Sequence, residues 1–181
     1  MPVSRVELLL HQLDITWALF EYHADGLGDA HCLWTPAEHH WTVRPDENGN
    51  WVADFQETEP DPVPAVTIGW ITWHIDYWWS TVLECLDGDV EAMRSAKHWP
   101  GSAQAAVQQL RDLHDRWRAQ LSGRSDAELD STDLTSDLPW GPDMTLGDVA
   151  GWVNVELTKN VAEIGALRIL QRAQRASSGH R

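Results

Sequence analysis

The sequence predicts an all-α protein, a four-helix bundle with a small β-hairpin inserted between its first and second helices. Three observations carry this prediction: four long segments with apolar residues at helical spacing, capping sequences at helix starts, and one Asn-Gly turn between two strand-like runs. The 181 residues fit one domain. We place this domain at residues 1–176 and expect a flexible polar tail at 177–181.

The first predicted helix begins at the capping box formed by Ser4 and Glu7 and ends near Ala24. In a capping box each side chain accepts a hydrogen bond from a backbone N–H group that the first turn would leave unpaired. Apolar residues then recur at helical spacing until two glycines end the run. The other three predicted helices span residues 67–86, 102–121 and 145–176.

The segment between the first two helices has a different pattern. Two strand-like runs, His40–Arg44 and Trp51–Phe55, flank the turn sequence Asp46–Asn50. We expect this hairpin to lie across one end of the bundle as a lid. The residues Glu57–Pro64 contain three prolines and three acids and predict an extended linker, whose charges are most simply those of a solvated loop.

Composition excludes several classes of function. The formal net charge of −15 disfavours binding to nucleic acid or to an anionic membrane surface, since both need clustered Lys and Arg. No apolar run approaches the roughly 20 residues of a membrane-spanning helix. Two cysteines are too few for a disulfide framework, so we expect a reduced, cytoplasmic location. The twelve tryptophans suit a core or the wall of a cavity.

One titratable residue lies inside the aromatic stripe of the second predicted helix. The side chains of Trp70, Trp73, His74, Tyr77 and Trp78 share one helical face. An aromatic face of this kind predicts burial, and a buried imidazole needs a hydrogen bond or a metal ion. On its own, a core histidine bonded to a polar neighbour is the more common arrangement.

The last predicted helix carries two polar residues on its inward face. Glu156 and Asn160 are four residues apart, which places them one turn apart on the same side. Facing His74 from another helix, they would form either a hydrogen-bond network or a metal site. In the network His74 donates to Glu156 and the Asn160 amide completes it, while Glu163 lies nearby at the edge of the face.

Two segments carry a resemblance to a known family. Residues Trp152–Arg168 and Gly69–His74 resemble the corresponding helices of the DinB-like superfamily, which includes mycothiol-dependent maleylpyruvate isomerases and related thiol transferases. The resemblance implies a bundle of up-down-down-up type and a divalent metal, zinc or nickel. The family ligands are a histidine on the second helix and a pair spaced i, i+4 on the last. Family members often pair through bundle faces, which implies a homodimer.

Residue by residue, the resemblance implies a metal site at His74, Glu156 and Asn160. His74 matches the first ligand and Glu156 the acidic form of the second, whereas Asn160 stands where the family has histidine. The implied function is a metal-dependent transferase or isomerase that takes a small-molecule substrate and a thiol of the mycothiol type. Asn160 weakens such a metal site, and Lys159 would weaken it too if it pointed inward, although its spacing favours a neighbouring helix or solvent. The alternative is therefore a non-catalytic bundle that has lost the metal and binds a small molecule or a partner.

Overall fold

Four long helices form the body of the structure, a computed structural model that describes residues 3–178. They are α1 (Arg5–Ala24), α3 (Ile68–Leu86), α5 (Ala103–Ser122) and α6 (Leu146–Ser178). Two short helices, α2 (Asp29–Cys32) and α4 (Val90–Arg94), and a 3-10 turn at Glu128–Asp130 lie in the connections. The four predicted helices are confirmed. Helix α6 takes in the first two residues of the predicted tail, and positions 179–181 lie outside the described residues.

Helices α1 and α6 run parallel and side by side. The Asn154 amide donates to the carbonyl of Leu9 at 2.9 Å, and the hydroxyls of Thr16 and Thr158 are 2.9 Å apart. The later residue of α1, Thr16, contacts the later residue of α6, Thr158, so the two helices point the same way.

Salt bridges fix the direction of α5 against α1. Arg111 pairs with Glu21 at 2.7 Å and Arg118 with Asp14 at 3.1 Å. The later residue of α5, Arg118, pairs with the earlier residue of α1, Asp14, so α5 is antiparallel to α1. Both pairs are partly exposed and contribute little to stability on their own.

Helix α3 is the most buried element, with sixteen of its nineteen residues buried. The Thr67 hydroxyl caps its start by accepting the backbone N–H of Trp70. Asp76 interacts with Gln109, and Asp87 at its end accepts from Gln120 at 2.9 Å, so α3 is parallel to α5. The directions of the four helices confirm the up-down-down-up bundle.

The inserted strands form two separate pairs. Strands β2 (Val43–Pro45) and β3 (Trp51–Ala53) make the predicted antiparallel hairpin. Strand β1 (His40–Trp41) instead pairs in parallel with β4 (Ala65–Val66), which follows the linker. The predicted first strand therefore divides at Thr42, whose N–H donates to the Asp54 carboxylate at 2.9 Å.

The aromatic stripe of α3 is buried but divided between two neighbours. Trp78 faces α6, and its ring lies 5.4 Å from that of Trp152. Trp70 donates its indole N–H to the carbonyl of Asp54, and Trp73 donates to the carbonyl of Lys97 at 2.9 Å. The strands and the loop before α5 thus cover Trp70 and Trp73, whereas α6 covers Trp78, so the predicted burial of this face is confirmed for these three residues. Within residues 3–178, no helix combines the length and apolar character needed to cross a membrane.

Gly165 lies where α6 meets the His23 ring of α1. A Cβ atom at this position would lie 2.6 Å from Nε2 of His23, so the half-buried ring would have to turn aside. Gly165→Ala should therefore lower the free energy of unfolding by roughly 1–2 kcal/mol relative to an alanine at an open position of the same helix. Gly151 is a matched control in the same helix, because a Cβ there meets nothing within 4 Å. Gly151→Ala should raise the free energy of unfolding by about 0.5–1 kcal/mol. Urea denaturation of both variants tests this, and equal effects would contradict it.

A buried carboxyl group lies between α3 and α5. Asp76 is only 6% exposed, and burial raises its pKa to about 6 from an ordinary value of 3.8, against the opposing effects of Gln109 and Lys97. The folded protein thus holds the proton more tightly than the unfolded chain, so its stability falls as the pH rises from about 4 to 6. At neutral pH this shift lowers the free energy of unfolding by an amount on the order of 2–3 kcal/mol.

Replacing this carboxyl by a neutral amide removes that cost. Asp76→Asn should raise the free energy of unfolding at pH 7.5 by about 1–3 kcal/mol. The gain should vanish below about pH 4, because the protonated carboxyl of the native protein is then as neutral as the amide of the variant. Asp76 and Asp112 line one cavity between α3 and α5, but Asp112 is exposed, so Asp112→Asn is the control and should change little. Denaturation at several pH values measures both. A gain that persists unchanged at pH 3.5 would contradict burial of the charge as its cause.

Candidate functional site

A cavity of about 360 Å³ lies where α3 and α6 meet the inserted strands and the linker. His74 lines it from α3, and Lys159, Asn160 and Glu163 line it from α6. These four residues are on helices whose apolar stripes are fixed by the core, so their positions follow from helix packing. The cavity therefore brings together His74 and Asn160, which the sequence placed on the inward faces of two helices, whereas Glu156 is not among the residues that line it.

His74 is held as a neutral ring against an aromatic wall. Its imidazole stacks on Trp70 with ring centroids 4.8 Å apart and planes 11° apart. Burial lowers the pKa of His74; the Glu156 carboxylate and the Asn160 side chain raise it, and the Lys159 ammonium lowers it. Its Nδ1 atom is buried and has no hydrogen-bond partner within the described part of the chain. The ring is neutral near pH 7 and retains an unused polar atom.

Asn160 joins both helices through hydrogen bonds. The residue is 1% exposed. Its Oδ1 accepts from the Trp78 indole at 3.3 Å, and its Nδ2 donates to Glu163 at 3.2 Å. Its side chain also forms a hydrogen bond with His74, so Asn160 serves as a bridge between α3 and the carboxylate of Glu163.

Glu156 is paired with Lys159 and not with His74. The Lys159 ammonium lies 2.6 Å from Oε1 of Glu156, one turn earlier in α6. The expected network had His74 donating to Glu156, but among residues 3–178 no hydrogen bond joins these two side chains. Lys159 accounts for the difference, because its flexible stem folds back along the helix and delivers a full positive charge to the carboxylate.

The outer wall of the cavity is aromatic and acidic. The rings of Trp41 and Trp70 are 5.5 Å apart, and the indole bond from Trp70 to Asp54 fixes the inner ring. The remaining wall comes from the segment after β3 and from the linker: Phe55, Glu57, Glu59, Val63 and Pro64. Sequence reasoning treated the linker as a solvated loop and missed these residues. Its three prolines predicted an extended path, but only the pairing of β4 with β1 places that path over Trp70.

A family model described as the DinB superfamily matches residues 12–164. The chain belongs to the DinB superfamily. No curated protein and no solved structure is significantly similar to it. The matched DinB region contains His74, Glu156 and Asn160, and it ends within α6 just beyond Glu163.

The residues at the DinB metal positions do not fit a divalent cation. Among the residues that the structure describes, no group of three His, Cys, Asp or Glu side chains is placed to hold a metal ion. The Asn160 amide is bonded to Trp78 and Glu163, and an ammonium lies 2.6 Å from Oε1 of Glu156. A metal at this place would have to displace the Lys159 charge and the bonds of Asn160, and the Nδ1 atom of His74 is the one ligand atom of these three residues shown to be buried and unpartnered.

Two changes at these positions should create a three-ligand metal site. Lys159→Met removes the ammonium, and Asn160→His supplies a second imidazole. The double variant should melt higher with zinc or nickel, by about 5–10 °C at a metal concentration near 100 times Kd. Asn160→His alone should gain less, because Lys159 still holds Glu156. The native protein should shift by less than about 1 °C.

Lys159→Met alone is the control, since it removes the charge without adding a ligand. All four proteins are compared by calorimetry in EDTA and in metal. Native protein that carries stoichiometric zinc or nickel after purification without a metal-binding tag would contradict the description of the site given above. A double variant that shows no shift would mean that the side chains at positions 74, 156 and 160 do not converge.

Proposed function

We propose that this DinB-superfamily chain binds a small organic cation with an apolar body in the cavity above His74, without a metal ion. The observation that carries the proposal is the pairing of Lys159 with Glu156. This pair neutralises the positive charge of Lys159 at the cavity, and it also occupies a carboxylate that a metal ion would need as a ligand. The cavity of about 360 Å³ lies at the lower end of the range for small-molecule sites.

The charges that remain unpaired around the cavity are negative. Glu57 and Glu59 line it from the linker, and Glu163 lines it from α6 with only a neutral amide as its partner. His74 adds no positive charge, because burial lowers its pKa. A cation is therefore attracted, and an anion such as a free thiolate is repelled.

The aromatic wall favours the same class of ligand. The rings of Trp41, Phe55 and Trp70 line the cavity, and a cation over the face of a tryptophan gains about 0.5–2 kcal/mol. Trp70 is held by its bond to Asp54 on one edge and by the His74 ring on one face, so it loses little freedom on binding. Val63 and Pro64 supply apolar contact for the body of the ligand.

A second candidate function is metal-dependent transfer to or from a low-molecular-weight thiol of the mycothiol type. It is favoured by one observation, that His74 keeps an unpartnered Nδ1 near the retained Glu156. It requires Glu156 to leave Lys159. On this second proposal the freed ammonium would attract the thiolate, so the two functions predict opposite charge preferences.

Binding of charged probes distinguishes the two functions. Benzyltrimethylammonium should bind about tenfold more tightly than benzyl alcohol, and phenylacetate should bind most weakly. Glu59→Gln combined with Glu163→Gln should weaken binding of the cation roughly tenfold. Glu128→Gln, at the distant 3-10 turn, is the control and should leave it unchanged. Titration calorimetry gives all the affinities, and a preference for phenylacetate over the cation would reject the proposal in favour of an anion site.

A further inference from the structure

A second cavity, of about 300 Å³, lies between α3, α5 and the loop that precedes α5, and we call it the α3/α5 cavity. Two of its lining residues, Ala96 and Leu113, are apolar, and the others are polar or charged. Among the residues that the structure describes, none lines both this cavity and the one at His74. The α3/α5 cavity is therefore a separate space, and its wall is polar where that of the other is aromatic.

The inner part of the α3/α5 cavity holds a carboxyl group of the most buried helix. Asp76 and Ser80 are each 6% exposed, and they are four residues apart on α3, so their side chains lie one turn apart on the same face. Gln109 lines the cavity from α5 and forms a hydrogen bond with the Asp76 carboxyl. A carboxylate, a hydroxyl and an amide thus line one small space, and together they offer more hydrogen-bond acceptors than donors.

The lysine that lines this cavity is committed to other partners. The Lys97 ammonium donates to the two carboxylate oxygens of Glu84 at 2.9 and 2.7 Å, and to the carbonyl of Ala92 at 2.8 Å. An ammonium has three N–H donors, so these bonds use all of them. The Lys97 side chain is only 9% exposed, which holds the pair in place. Within residues 3–178, Asp76 therefore forms no salt bridge, and Lys97 acts on it only through space.

The exposed charges at the mouth of the α3/α5 cavity favour entry of a cation. Arg116 is about half exposed, and its charge is balanced by Asp87 at 3.1 Å. Asp112 is also exposed, and it accepts from the neutral amide of Gln108 at 2.9 Å, so its negative charge is not balanced by that bond. A cation that enters is thus attracted first by Asp112 and then by Asp76, whereas an anion is repelled by both.

Stability does not account for a carboxyl group at position 76. Burial raises the pKa of Asp76, so a neutral amide at the same place should give a more stable protein at neutral pH. A buried charged group that lowers stability and lines a cavity is typical of a binding site, because function and stability compete there.

We propose that the α3/α5 cavity binds a small primary ammonium ion, whose charge is balanced by Asp76 and whose N–H groups donate to Asp76, Ser80 and Gln109. Hydrogen bonds between an ammonium and a carboxylate are among the strong ones, and three N–H donors match the excess of acceptors here. A quaternary ammonium has no N–H donor and depends on aromatic faces, which the cavity at His74 supplies and the described lining of the α3/α5 cavity does not. The two cavities thus select different classes of cation.

Ethanolamine is the probe, and an NMR titration of the ¹⁵N-labelled full chain tests the proposal. At about pH 7.5 ethanolamine should shift the backbone amides around Asp76 and Gln109, and it should bind at least about tenfold more tightly than ethylene glycol or tetramethylammonium. Asp76→Asn should weaken ethanolamine binding at least about tenfold, and Ser80→Ala should weaken it roughly threefold. Asp143→Asn removes an exposed carboxylate from the loop before α6 and is the control, with the affinity unchanged.

The pH dependence of binding is a second measurement. Asp76 must be ionised to balance the ligand's charge, and its pKa is about 6, so the affinity for ethanolamine should fall about tenfold from about pH 7.5 to pH 5. The other charged or titratable residues of this cavity are Glu84 of α3, Lys97 and His98 of the loop, and Asp112 and Arg116 of α5. Histidine also titrates in this range, so the same measurement on His98→Gln separates its contribution.

Three results would overturn the proposal: no ethanolamine-dependent shifts up to about 100 mM, binding that Asp76→Asn leaves unchanged, or tighter binding of tetramethylammonium. Asp76→Asn should fold at least as stably as the native chain, so a loss of binding in this variant is not a loss of structure. The same variant should bind benzyltrimethylammonium as the native chain does, because Asp76 does not line the cavity at His74. Failure at one cavity is thus distinguishable from failure at the other.

Discussion

Helix α3 is apolar around nearly its whole circumference, and the rest of the fold is arranged to cover it. A helix beside one neighbour buries only one stripe, so a helix with sixteen buried residues needs cover on every side. Helices α5 and α6 supply two sides, and the inserted strands supply a third through Val43, which packs against Gly69 closely enough to exclude a Cβ there. The large indoles of this helix reach the more distant strands, which explains why aromatic residues are concentrated on it.

Polar groups on such a helix cannot reach bulk water, so each is accommodated in its own way. Thr72 accepts the indole N–H of Trp99 at 3.0 Å, and Asp76 is buried with a raised pKa. His74 is neutral and stacked between the core and a cavity. The cavity exists at His74 because the cover there is a proline-containing linker and not a helix. An extended segment paired through a strand of only two residues cannot fill the volume that a third packed helix would occupy.

The sequence was sufficient for the features that depend on local interactions. Capping residues and helical spacing predicted all four long helices, and inward placement predicted that His74 and Asn160 would approach the same region. The partner of Glu156 was not predictable in this way, because Lys159 reaches it only by a choice of side-chain rotamer one turn away. The parallel pairing of β1 with β4 joins residues 25 apart and has no local signature, so the linker's place in the cavity wall was missed.

The strong negative charge of the chain is distributed in a way that bears on the cavity at His74, for which we propose a function. Over most of the protein, the carboxylates are either exposed to solvent or paired with arginines, and the net negative charge makes copies of the chain repel one another. At the cavity, Glu163 keeps a neutral partner, so its charge acts on whatever enters. Lys159 neutralises Glu156 one turn away, so the negative charge that remains at the cavity is that of Glu163 and of the linker acids Glu57 and Glu59.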